Sequence, residues 1–142
     1  MNITLTFQSV FLFSLIYVAS CSANDTFTCP ATVRLASGVV IAEDIPAGSE
    51  SLLSASIIRL SGYSLYDGPP REGAALMPTS VTANTATWVL VDKHPQGIWM
   101  SCDYAEGLVK IIKRAANSVR SCLATTKIMK PQNTLGTHFI CK

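Results

Sequence analysis

The chain has 142 residues, room for one domain, and a formal net charge of +2 with 14% charged residues. So small a charge, with few aromatics interleaved among the basic residues, excludes a nucleic-acid binder. Residues 1–20 carry no charged side chain, and Val10 to Ala19 form an apolar core of signal-peptide length, too short for a membrane span of about 20 residues. The n-region departs from the usual pattern in having no Lys or Arg. Cys21-Ser22-Ala23 suits cleavage after Ala23. Val18-Ala19-Ser20-Cys21 also resembles a bacterial lipobox, which would make Cys21 a lipidated N-terminus and tether the protein to a membrane. Both sites remain open. Either leaves a single domain over residues 24–142, exported to the periplasm or lipid-anchored at the outer membrane.

Cys29, Cys102, Cys122 and Cys141 remain after either cut. An even count in an exported chain predicts two disulfides. Four cysteines allow three pairings. Of these we favour Cys102–Cys122 with Cys29–Cys141, which ties the chain ends together. No C-x-x-C pair exists, and His94 and His138 lack ligand spacing, so no metal is expected.

In chain order, Phe27, Cys29, Ala31, Val33 and Leu35 alternate with polar or small residues and predict one strand, with Pro30 marking an edge or a strand start. Gly38 to Ala42 is a second short β run, and Glu43 to Ser54 reads as a loop. Ala55–Leu60 and Tyr63–Tyr66 are β-like, with Gly62 as a bulge between them. Tyr66-Asp67-Gly68-Pro69-Pro70 is a turn, and a short strand precedes Met77-Pro78. Val81 to Asp92 predicts a strand with Ala86, Trp88 and Leu90 on one face. Val89 and Val91 on the other face suggest a central position.

After the turn His94-Pro95-Gln96-Gly97, Ile98, Met100, Cys102 and Tyr104 alternate with Trp99, Ser101 and Asp103. A loop over Tyr104 to Gly107, with Gly107 at positive φ, would set Cys102 opposite Val109 and Met100 opposite Ile111. The spacing of Leu108, Ile111, Ile112, Ala115 and Val119 also fits a helix. Gly107 and the β-branched Val109, Ile111 and Ile112 favour the strand. Ala115 to Ser118 turns the chain, Arg120 to Ile128 is a strand, 131–134 is a loop, and Thr137 to Cys141 closes the domain. Seven or eight short strands predict an all-β fold with at most one short helix: a small antiparallel sandwich or a partly closed barrel.

The motifs Cys29-Pro30, Tyr66-Asp67-Gly68-Pro69-Pro70, Leu76-Met77-Pro78, Trp88, Trp99-x-x-Cys102-x-Tyr104, Val119-Arg120-x-Cys122 and Cys141-Lys142 resemble an uncharacterised family of small exported proteins of Gram-negative bacteria. Some of these lie near type VI secretion loci, where immunity proteins neutralise envelope-attacking effectors. The resemblance spans most of the mature chain and carries no residue-level mechanism. The basic run from Lys110 to Arg114 has no counterpart in it.

No G-x-S-x-G, H-E-x-x-H or phosphate loop is present, no motif calls for a cofactor, and neither histidine has a nucleophile assigned beside it, so no enzyme is expected. The expected function is binding: an immunity or inhibitor protein that plugs an envelope-targeting toxin or hydrolase. The alternatives are an accessory envelope lipoprotein and, third, a hydrolase of envelope polymers. Interface candidates are Tyr63, Tyr66, Asp67, Trp99 and Tyr104, aromatic anchors with one adjoining acid. The partner is a protein. A membrane enters only if Cys21 is lipidated.

Overall fold

A computed structural model describes residues 24–39, 46–130 and 133–142. Residues 1–23, which hold the predicted leader and Cys21, lie outside the described residues, as do 40–45 of the second β run and its loop, and 131–132 of the last loop.

The first predicted strand is two. Strand β1 (Asp25–Cys29) and strand β2 (Thr32–Leu35) are separated at Pro30-Ala31. Proline has no N–H to give a ladder, so pairing lapses there and the chain crosses from one sheet to the other. Strand β3 (Gly38–Val39) pairs with β4 (Leu52–Leu53), inside the stretch read as a loop. Strand β5 (Ser56–Asp67) is continuous, with its bulge between Leu60 and Gly62. Strand β6 (Ala74–Leu76) precedes Met77-Pro78.

The predicted strand 81–92 is a hairpin of β7 (Ser80–Val81) and β8 (Thr85–Val89). Thr82 Oγ1 accepts hydrogen bonds from the N–H groups of Asn84 and Thr85, which turns the chain locally. Ala86, Trp88 and Leu90 are buried as expected, but Val91 is 84% exposed. Val89, on the other face of β8 itself, is 53% exposed, so β8 is buried on one face only, and it lies between β11 and β7 in its sheet.

Strand β9 (Ile98–Tyr104) pairs with β10 (Val109–Arg114) around a single 3-10 turn at Ala105–Gly107. The segment is a strand, as its β-branched residues imply, and Gly107 takes φ +92°. The expected register is off by two. Ala105 to Leu108 form the four-residue loop, so Tyr104 faces Val109 and Cys102 faces Ile111. A shift of two keeps every side chain on its predicted face. Ala105 and Glu106 both adopt positive φ, which moves the turn one residue along. Strand β11 (Ser121–Met129) and strand β12 (Thr134–Cys141) complete the chain.

Apart from the two-stranded β3–β4 pair, the described strands form two antiparallel sheets. The first has the order β1-β12-β11-β8-β7, and the second β10-β9-β5-β2, with β6 also on β5. Buried side chains from both sheets form one core. Phe139 on β12 is wholly buried, and the rings of Phe27, Tyr63 and Trp88 stand around it at centroid distances of 5.7 to 6.3 Å. On one side the sheet edges meet: Lys113 Nζ on β10 donates to Asp25 Oδ1 (2.6 Å) and to the Thr26 carbonyl (2.8 Å) on β1.

All four cysteines are oxidised, but not in the pairing favoured above. The bonds are Cys29–Cys102 and Cys122–Cys141. Register explains the difference. Asp25 faces Cys141 while Cys29 faces Thr137. Four residues along a strand put Cys29 about 13 Å from Cys141, beyond disulfide reach. Cys122 faces Cys141 directly, whereas Cys29–Cys102 joins the two sheets.

The bonds span 73 and 19 residues. Loop-closure entropy then predicts losses of about 4 kcal/mol for Cys29→Ser with Cys102→Ser, and about 3 kcal/mol for Cys122→Ser with Cys141→Ser. Urea unfolding of the two double variants checks this order. Phe139→Ala should cost about 3–5 kcal/mol in the same assay.

Candidate functional site

Strand alternation divides the candidate residues between inside and outside. On β9, Ile98, Met100, Cys102 and Tyr104 point inward. Tyr104 is 0% exposed, and its hydroxyl donates to the Pro30 carbonyl at 2.8 Å. Tyr63 faces Cys102 and stands edge-on to Trp88 and Phe139. Burial raises the pKa of both tyrosines above the ordinary phenol value. Tyr104 is a core residue that presents no surface to a partner, and Tyr63 is a partly buried residue packed against the core. Asp67, at the end of β5, lies 3.1 Å from His94 Nδ1. His138, on the other sheet, has Nδ1 2.7 Å from Thr28 Oγ1.

Tyr66 and Trp99 face outward. They are paired across β5 and β9, half-buried side by side. Trp99 Nε1 donates to the Gln96 carbonyl at 3.3 Å, which fixes the indole against the preceding turn. The sequence-based candidates omitted the polar and basic residues that surround this pair.

Along β9 the outward row continues with Ser101 and Asp103, and along β10 it is Lys110, Ile112 and Arg114. Asp103 is the hub of this row. Its Oδ1 accepts from Ser101 Oγ (2.7 Å) and Lys110 Nζ (2.7 Å), and its Oδ2 from Ser64 Oγ (3.0 Å). Burial would raise its pKa, but the bonds from Lys110, Ser101 and Ser64 outweigh it and hold the carboxyl below the usual carboxylate value. Lys110 is pulled down by partial burial, yet its bonds to Asp103 and Tyr66 leave it above the ordinary lysine value. The Lys110 ammonium also sits 5.6 Å from the Tyr66 ring centroid, within cation–π range. An open depression of about 420 Å³ lies over Ser64, Tyr66, Asp103 and Lys110.

Arg114 stands opposite Trp99 and is pinned from two sides. Its Nη2 donates to Asn117 Oδ1 at 3.1 Å. Its Nε passes so close to Gly97 that a Cβ there would lie 2.5 Å away. Gly97 is thus required twice, for its φ of +80° and for the space it leaves. Ile112, between the two cations, is 42% exposed. The result is a braced face: two aromatics and one aliphatic residue flanked by held cations. Aromatic and arginine side chains are the residues most enriched at interface hot spots. The register of W-x-S-x-D against K-x-I-x-R is the signal that would have found the whole face.

Among the described residues, no group of three His, Cys, Asp or Glu side chains is placed to hold a metal ion.

Because the native Asp103 carboxyl has a lowered pKa, its contribution to stability is complete above the ordinary carboxylate value and is lost as pH falls through the lower native value. Melting temperature measured from pH 2 to 6 should therefore fall more steeply on the acid side in the native protein than in Asp103→Asn.

A family model described as Type VI secretion system Tli immunity protein matches residues 54–142. The matched span opens just before β5 and includes the whole braced face, with β1 to β4 and Cys29 outside it. No curated protein and no solved structure matches the chain.

Proposed function

The chain belongs to the family of Type VI secretion system Tli immunity proteins, and from that membership we propose that it works in the bacterial envelope, by binding alone, through the outer face of β5, β9 and β10. An immunity protein neutralises a toxin of the secretion system, and its partner is that toxin. We take the toxin to be one that attacks the envelope, met by this protein in the periplasm. Two disulfides in a small domain support an oxidising compartment. The leader described by the sequence supports export, and lipidation at Cys21 would place the protein on a membrane.

The observation that carries the binding site is the braced arrangement of Tyr66, Trp99, Lys110 and Arg114. Side chains already held in one geometry lose little entropy on association, so a face of this kind favours a stable complex. Inhibition then needs no chemistry from the immunity protein: occupying the toxin's working surface is sufficient.

Contact killing tests this reading. A strain deleted for the gene should be killed by neighbouring parent cells, and the full-length chain should restore survival. The mature protein should be recovered from the envelope with a mass that rises by about 4 Da on reduction, two hydrogens for each disulfide. Recovery from the cytoplasm as reduced, full-length chain would overturn the envelope assignment. Unchanged survival of the deleted strain would overturn the immunity role.

A further inference from the structure

The fold divides the basic run Lys110 to Arg114. Lys113 points to the sheet edge and is consumed in bonds to Asp25 and Thr26. Lys110 is matched by Asp103. Arg114 differs from both. Its guanidinium is held by the neutral side-chain amide oxygen Oδ1 of Asn117, not by a carboxylate, in a fixed position beside Trp99. The charge is not isolated. Asn117 and Gly97, the two residues that hold Arg114, also line a neighbouring cleft of about 310 Å³ whose wall includes Lys93 and Arg120. Asp92 in the same wall offsets one of these charges.

We propose, building on the immunity reading above, that the toxin presents an acidic segment to this end of the face, with a carboxylate seated on Arg114 at the mouth of the Lys93–Arg120 cleft. The segment's apolar side chains pack on Trp99, Tyr66 and Ile112. Charge complementarity selects this occupant. An exposed, pre-positioned guanidinium offers two parallel N–H groups to a carboxylate, and a fixed donor pair favours that geometry over a diffuse anionic surface. The aromatic floor beside it suits a peptide chain, which carries both charge and apolar groups within one segment. The occupant is thus a protein segment, and an anionic membrane is the competing outcome of the test.

The test uses the gene-deleted strain exposed to parent cells, complemented with full-length variants. Arg114→Glu should lower survival by at least about tenfold, and Lys93→Glu with Arg114→Glu and Arg120→Glu by at least about 100-fold, the range for reversing charges at a docking site. Gly97→Ala, which displaces the guanidinium without altering any charge, should show an intermediate loss. Lys127→Glu on the outer face of the first sheet should protect as the native chain does. Thermal melts of each purified variant separate lost folding from lost docking: a variant that melts with the native protein and fails to protect supports the proposal. Native-level protection by the folded triple variant overturns it while leaving the immunity role intact. If the native chain itself fails to protect, the immunity reading falls first. Loss of binding to phosphatidylglycerol vesicles in the triple variant, with protection unchanged, would assign the basic end to a membrane and overturn the acidic-segment proposal.

Discussion

The fold depends on the crossover at Pro30. One residue before it, Cys29 ends β1 in the first sheet; two residues after it, Thr32 begins β2 in the second. Two layers that share a core must be held in one relative position, and the chain does so where it changes layer. Cys29 is bonded to Cys102 on β9, and the Tyr104 hydroxyl, two residues further along the same strand, closes on the Pro30 carbonyl. The Lys113–Asp25 contact fastens the other end of the same seam. The inward face of β9 therefore serves the join between the sheets. Its outward face is left to carry Trp99, Ser101 and Asp103, and the register with β10 brings Lys110 and Arg114 beside them. Rigidity inside and presentation outside come from alternate residues of one strand.

That division governs how much of the molecule the sequence disclosed. The all-β class, the bulge near Gly62, the turn at Gly97 and the inward set Met100, Cys102 and Tyr104 all follow from local alternation and turn chemistry. The alternation that buried Cys102 also buried Tyr104, so its place in the core was legible even though its aromatic ring nominated it for an interface. Three features were not legible, each for a physical reason. Pro30 does mark an edge, since β1 and β2 each lie at the edge of a sheet, but alternation continues across it and hides the break. The β7–β8 turn is built by a threonine hydroxyl without Gly or Pro, so no strong turn signal marks it. The disulfide pairing depends on which strands lie side by side, and local pattern contains no such information.

The site divides in the same way. Tyr66 and Trp99 entered the candidate face because large aromatics stand out in any sequence. Asp103, Ser64 and Ser101 are ordinary polar residues until β5 and β9 are set in register. Then their hydroxyls and the Lys110 ammonium converge on one carboxylate. The buried character of Ser101 on an outward row shows how tightly this network is covered by its neighbours. Polar groups packed this closely keep the face in one arrangement, which suits a protein whose task is to engage one toxin. The strands that build this face all lie within residues 54–142, the span of the family match.

The central claim is that the toxin docks on the outer face of the second sheet. Amide hydrogen exchange, compared between the free protein and its complex with the toxin it neutralises, tests this most directly. The account predicts slowed exchange on β10 and in the turn from His94 to Gly97, with β7, β8 and β11 unchanged. Protection confined to β7, β8 and β11, with β10 exchanging as in the free protein, would contradict it.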